Sequence, residues 1–268
     1  MPTTLNQGVT RKCNPSFFAG RTARTRIEAL AAPAPETVMP EVPLTPPAAF
    51  VFDAYGTLFD VHSVTALAQR LAPGRGAELS RVWRAKQLEY TWLQSLMQGR
   101  GQVREDFERI TAHALDYAIA ALVLSLGAVD RQQLRDAYLT LAAFPDARPA
   151  LAALAPKPRW ILSNGTVTGL APLVRHNGLE DVLDGVLSVD AVDVYKPAPR
   201  AYALAAERLD LPPARIGFVS SNCWDAIGAR AFGFTTYWIN RSGAPLDRHG
   251  PPPHHMLASL AELPGIAA

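Results

Sequence analysis

The residues best placed for chemistry in this 268-residue chain stand where short apolar runs stop. Asp53 follows Ala-Phe-Val-Phe and opens the turn Asp53-Ala54-Tyr55-Gly56-Thr57, with a further acid at Asp60. Ser163 and Asn164 close the run beginning Arg159-Trp160-Ile161. Ser220, Ser221 and Asn222 close another, and Asp225 follows one helical turn later. Tyr195, Lys196 and Pro197 lie in the loop behind Gly185-Val-Leu-Ser-Val-Asp190. If these runs are strands of one parallel sheet, their tips lie side by side. Two carboxylates, a lysine, two Ser-Asn pairs and a threonine then face one cavity, where open α/β sheets bind ligands. Each residue alone has an ordinary explanation: an aspartate forms caps and turns, Ser-Asn-Gly is turn chemistry, and a lysine before proline is a solvated charge. Turn formation does not require all of them at successive strand tips, and that joint placement argues for a site.

The elements that must position them are legible as continuous apolar runs, the pattern of strands covered on both faces. They are read at 49–53, 159–164, 185–190, 215–222 and 235–240. Helical patterns fall between them at about 146–155, 168–177, 198–209 and 224–232. Strand alternating with helix predicts an α/β fold, a doubly wound, Rossmann-like parallel sheet. Residues 64–142 break the rhythm with helices alone: 78–97, where Leu79, Val82, Trp83, Tyr90, Leu93 and Met97 recur at helical spacing, then 106–127 and 131–144. This reads as a helical cap (64–142) inserted in a core domain (47–63 and 143–268), set to close over the strand tips and exclude water.

Composition narrows the functional classes. A net charge of +2 gives no argument for nucleic acid or an anionic membrane. Two distant cysteines, Cys13 and Cys223, make neither a disulfide framework nor a metal cluster, and a reduced, cytoplasmic setting is the default. Cys223 reads as a small buried filler. No run approaches the roughly 18 apolar residues of a membrane span. Residues 1–46 carry Arg11, Lys12, Arg21, Arg24 and Arg26 before the first acid, Glu28, then a proline-dense stretch. They read as a disordered tail, with Met39 as an alternative start. His62, His254 and His255 look non-catalytic, the last two in a Pro-rich C-terminal loop.

Taken together, the stretches FDAYGTLFDVHSV, WRAKQLEYTWLQSLM, ILSNG, LSVDAVDVYKP and FVSSNCWDAIGARAFGF resemble the haloacid dehalogenase superfamily, and within it the L-2-haloacid (type II 2-haloacid) dehalogenases. The resemblance covers residues 49–245 and implies roles by position. Asp53 is the nucleophile and Thr57 supports it. Arg84 binds the substrate carboxylate or the departing halide. Ser163 and Asn164 hold substrate and halide. Lys196 neutralises charge beside Asp53, with Tyr202 near it. Ser220 and Asn222 orient groups around Asp53, and Asp225 positions the hydrolytic water. Tyr55, Leu88, Phe107 and Trp224 line the pocket. Ala54 and Cys223 depart from the family pattern, and the stretch 98–107 looks longer than usual.

Tyr55 decides the expected reaction. Phosphatases of the superfamily place a second aspartate there to protonate a basic leaving group, a contribution of roughly 10²–10⁴-fold. A halide leaves without a proton, so the second acid is superfluous. Ser and Asn replace the extra carboxylates that a hard cation prefers. The expectation is therefore a cofactor-free and metal-free enzyme acting on short 2-haloacids with water, by backside attack of Asp53 and hydrolysis of the ester. The resemblance implies that an (S)-2-haloacid gives an (R)-2-hydroxyacid. The resemblance also allows a homodimer. A magnesium-dependent phosphatase and a non-catalytic protein on the same fold stay open as rivals.

Overall fold

The computed structural model describes residues 44–98 and 104–266. Most of the expected tail lies outside them. Six strands form one sheet: β1 (Ala49–Phe52), β2 (Arg159–Ser163), β3 (Gly185–Ser188), β4 (Ile216–Ser220), β5 (Thr235–Ile239) and β6 (His255–Leu257). Their order is β3-β2-β1-β4-β5-β6, and every neighbouring pair is parallel. β1 is central, with Phe52 beside Ile161 on one side and Val219 on the other. All four of its residues are fully buried, as are all five of β4 and β5. That burial is why β1 is an unbroken apolar run and why β4 and β5 carry only small hydroxyl residues, Ser220, Thr235 and Thr236, beside their apolar ones.

Between β1 and α5 (Ala147–Ala153), which leads into β2, the chain forms α1 (Thr65–Leu71), α2 (Gly76–Leu96), α3 (Phe107–Ala121) and α4 (Ala128–Ala137). The core helices are α5 (Ala147–Ala153), α6 (Val167–His176), α7 (Pro199–Leu209) and α8 (Cys223–Phe232), with a short α9 (Leu263–Ile266). Among the described residues no helix is long and apolar enough to cross a membrane.

The helix pair α2–α3 is fastened by Trp83, which is fully buried. Its indole N–H donates to the Thr111 carbonyl at 2.8 Å, and its ring packs 4.7 Å from that of Tyr138. Asp106 caps α3 through the Arg109 N–H, which fixes the start of that helix at Phe107.

Four expectations need correction. The helix read at 106–127 stops at Ala121, where the chain turns through Val123 at φ +53°. The helix read at 131–144 begins at Ala128 and gives way to a 3-10 turn at Tyr138–Thr140. Leu93 and Met97, placed on the apolar face of α2, are exposed together with Leu96. Of the two histidines read in a Pro-rich C-terminal loop, only His254 precedes the strand. His255 opens β6 and stacks on Tyr237 at 4.8 Å, while the Thr236 N–H donates to His254 Nδ1.

Candidate active site

The ladder carries one residue beyond β1: the Asp53 N–H donates to the Val219 carbonyl at 2.9 Å. The chain then reverses. Leu58 and Phe59 both donate to the Ala54 carbonyl at 3.0 Å, and Gly56 takes φ +92°. A side chain at that φ is strained, which explains glycine there. The reversal swings Thr57 back over the strand end. Its hydroxyl donates to Asp53 Oδ2 at 3.0 Å and accepts from the Ser221 N–H at 2.8 Å. Gly-Thr after the aspartate is thus the device that returns a hydroxyl to it.

Lys196 arrives from the loop before α7. Its ammonium is fully buried and has three partners: Asp53 Oδ1 at 2.8 Å, Asp225 Oδ2 at 2.8 Å and the Leu162 carbonyl at 3.1 Å. Asn222 completes the shell of Asp53, its amide donating to Oδ2 at 2.8 Å and to the Tyr55 carbonyl at 3.2 Å. Asp53 is therefore an acceptor throughout, from an ammonium, a hydroxyl and an amide.

Asp225 stands in the first turn of α8, where the helix dipole favours an anion. It accepts from Ser220 Oγ at 3.1 Å and from the Tyr202 hydroxyl at 2.8 Å. Tyr202 reaches it because Gly228 leaves room: a Cβ there would lie 2.7 Å from the Tyr202 oxygen. Burial opposes the Lys196 ammonium, but Asp225 and Asp53 outweigh it and hold its pKa above the ordinary lysine value. Burial raises the Asp225 pKa, Lys196 opposing and Asp53 adding to the rise.

The Tyr55 ring packs 5.1 Å from that of Phe107 at the start of α3 and 6.4 Å from that of Tyr138. Burial pushes its phenol far above the usual tyrosine range, the neighbouring Glu108 carboxylate adding to it. Its carbonyl faces Arg84, whose guanidinium donates to it at 3.4 Å and to Gln87 at 2.7 Å. Arg84 is half-buried, so an inserted helix delivers a cation to the loop behind Asp53. A cavity of about 630 Å³ opens between the end of α2 and the loop before α7, lined in part by Trp92, Tyr195, Lys196 and Trp224. Trp92 and Trp224 meet edge to face at 5.4 Å.

The family pattern of haloacid dehalogenase-like hydrolases matches residues 47–233, which hold every one of these side chains. The chain belongs to that family.

Among haloacid dehalogenase-like hydrolases, it is 48% identical over 213 residues to an (S)-2-haloacid dehalogenase of Pseudomonas sp. strain YL, covering 78% of this chain and 89% of that one. A crystal structure of an L-2-haloacid dehalogenase aligns with a TM-score of 0.81 at 45% identity, over 83% of this chain and 99% of the other. The L-2-haloacid dehalogenase of Xanthobacter autotrophicus with chloropropionic acid covalently bound aligns with a TM-score of 0.76 at 41% identity, over 82% and 98%.

In this haloacid dehalogenase-like hydrolase most residues singled out from the sequence converge. Asp53, Thr57, Lys196, Asn222, Asp225, Ser220 and Tyr202 form one hydrogen-bonded network. Ser220 does not bond Asp53 itself: its hydroxyl donates to Asp225, which shares Lys196 with Asp53, and accepts from the N–H of Asn222, whose side-chain amide reaches Asp53. Ser163 and Asn164 shape the β2 tip: Ser163 Oγ accepts from the Gly165 N–H at 3.1 Å, and Asn164 Oδ1 from the Lys196 N–H at 2.9 Å. Phe107 is buried against Tyr55, whereas Leu88 is half-buried on α2. Cys223 is half-buried, not a core filler.

Sequence reasoning missed Gln87, which donates to Thr111 Oγ1 at 2.5 Å while holding Arg84, and the Leu162 carbonyl. It missed Arg241, paired to Asp146 at 2.6 Å and donating to the Thr57 carbonyl at 3.4 Å. Gln87 lies one turn beyond Arg84, and that spacing was the available signal.

Proposed function

We propose that this chain hydrolyses short (S)-2-haloalkanoic acids to (R)-2-hydroxyalkanoic acids through an ester on Asp53. The observation that carries this reading is the Lys196 ammonium lying 2.8 Å from both Asp53 and Asp225. It fills the gap between the two carboxylates, so the donor set does not fit a divalent cation bridging them. Among the described residues no group of three or more His, Cys, Asp and Glu is arranged to hold a metal ion.

An Asp53 oxygen attacks the α-carbon opposite the halogen. The new C–O bond forms as the carbon–halogen bond breaks, and the halide leaves with the bonding pair. Arg84 holds the substrate carboxylate or the departing halide through its guanidinium fork. Ser163 and Asn164 border the substrate, and Leu88, Phe107, Tyr55 and Trp224 wall it in. Water, directed by Asp225 beside Lys196 and Asn222, then adds to the Asp53 carbonyl carbon. The hydroxyacid departs as Asp53 regains its carboxylate, now carrying one oxygen from water. Each turnover releases one halide and one proton.

The residues 64–142 act in this reading as a cap over the core domain. A cytoplasmic setting belongs to it as well, as does a homodimer using the exposed Leu93, Leu96 and Met97.

The test is a single turnover of (S)-2-chloropropionate in heavy-oxygen water. The label is expected in Asp53 and not in the product; label entering the hydroxyacid directly would mean that water attacks the substrate. The (R)-enantiomer is expected to release no halide. A metal-dependent phosphatase would lose its activity in EDTA, whereas halide release here is expected to be indifferent.

A further inference from the structure

The segment just before Lys196, which follows the tip of β3, is gripped by residues between the end of α2 and the start of α3. Arg104 stacks its guanidinium on the Tyr195 ring at 4.0 Å and pairs with both Asp190 and Asp193. Its side chain is only 3% exposed, so this is a built contact. The Tyr195 N–H donates to Ser95 Oγ at 3.0 Å, and the Tyr195 hydroxyl donates to the Glu105 carbonyl at 2.7 Å. Gln98 donates to the Asp193 carbonyl, which belongs to a residue held at φ +52°. Asp190, Asp193 and Tyr195 belong to the β3–α7 loop, whereas Ser95, Gln98, Arg104 and Glu105 lie between the last turn of α2 and the start of α3.

We propose that Arg104 and Ser95 are positioning residues for the reaction, acting through Tyr195 to set the main chain of Lys196. They touch neither Asp53 nor Asp225. Their effect arises because Tyr195 and Lys196 are consecutive, and the Lys196 N–H is fixed from the other side by Asn164 Oδ1. The lysine is thus clamped between the insert and the β2 tip. Its ammonium must meet two carboxylates and a carbonyl at once, and a 1 Å displacement in such an arrangement costs about 10²-fold. Stacking plus a two-carboxylate pairing needs a planar fork, which lysine lacks.

The inference rests on the proposed dehalogenase reading, and its test separates the two. In Arg104→Met and Ser95→Ala, amide hydrogen exchange read by mass spectrometry is expected to speed up at Tyr195 and Lys196, leaving β1 and β4 unchanged. That readout needs no substrate. In (S)-2-chloropropionate turnover, Arg104→Met is expected to lower kcat by about tenfold or more while KM moves by less than about threefold. Arg104→Lys recovers part of kcat, since charge returns without the fork. A variant that melts earlier but keeps wild-type kcat and exchange at Tyr195 and Lys196 would overturn the proposal. If the wild-type chain released no halide, the reaction assignment would fall, and the exchange result would still decide the clamp.

Discussion

Lys196 is the residue on which the site turns. A buried ammonium between two carboxylates is stable only while all three charges are present, and removing one partner of such a group costs about 3–5 kcal/mol. With its pKa held above the ordinary 10.5, Lys196 contributes stability that is fully present below 10.5 and is lost as pH rises through the folded value. Halide release and the melting midpoint are therefore expected to show no lysine titration between about pH 8 and 10, checked by initial rates and thermal scans. A limb centred near pH 9 would mean a neutral amine. Asp53→Asn is the second prediction at this scale. It keeps the volume and the hydrogen bond from Lys196 but removes the oxyanion that attacks in the proposed reaction. Halide release should become undetectable while circular dichroism at about 25 °C stays native, with a melting midpoint lowered by the loss of one partner charge.

The elements explain why these side chains meet. α7 and α8 pack closely enough for the Tyr202 hydroxyl to reach Asp225 only because residue 228 has no side chain. Gly228→Ala is expected to push the Tyr202 oxygen off Asp225, lower halide release and cost about 1–3 kcal/mol, read by urea unfolding. Strands β1 to β5 were legible because each carries a short apolar run bounded by turn residues, and β1, β4 and β5 are buried along their whole length. β6 was not: three residues behind three consecutive prolines carry too little pattern, and its pairing to β5 is a tertiary fact. Asp53, Lys196 and Asp225 could be picked out by their places at strand tips. Arg104 could not, because its partners lie more than 80 positions away and no periodicity links them.

At the scale of the whole molecule, the strand order reverses direction between β1 and β4, and Asp53 and Ser220 stand at those two tips. An open sheet leaves a crevice at such a point, and the site occupies it. The family match begins at residue 47 and β1 at Ala49, so every side chain of the network lies downstream. A chain started at Pro43 is expected to release halide at the full-length rate, measured side by side; a large loss would assign the first 42 residues a part in folding or catalysis. The ammonium buried between the carboxylates has a practical corollary as well. The sequence has only four lysines, and this one presents no free, unprotonated amine to solvent. Acylating or aldehyde reagents should pass it by, so tethering the enzyme to an amine-reactive resin will leave this buried lysine intact.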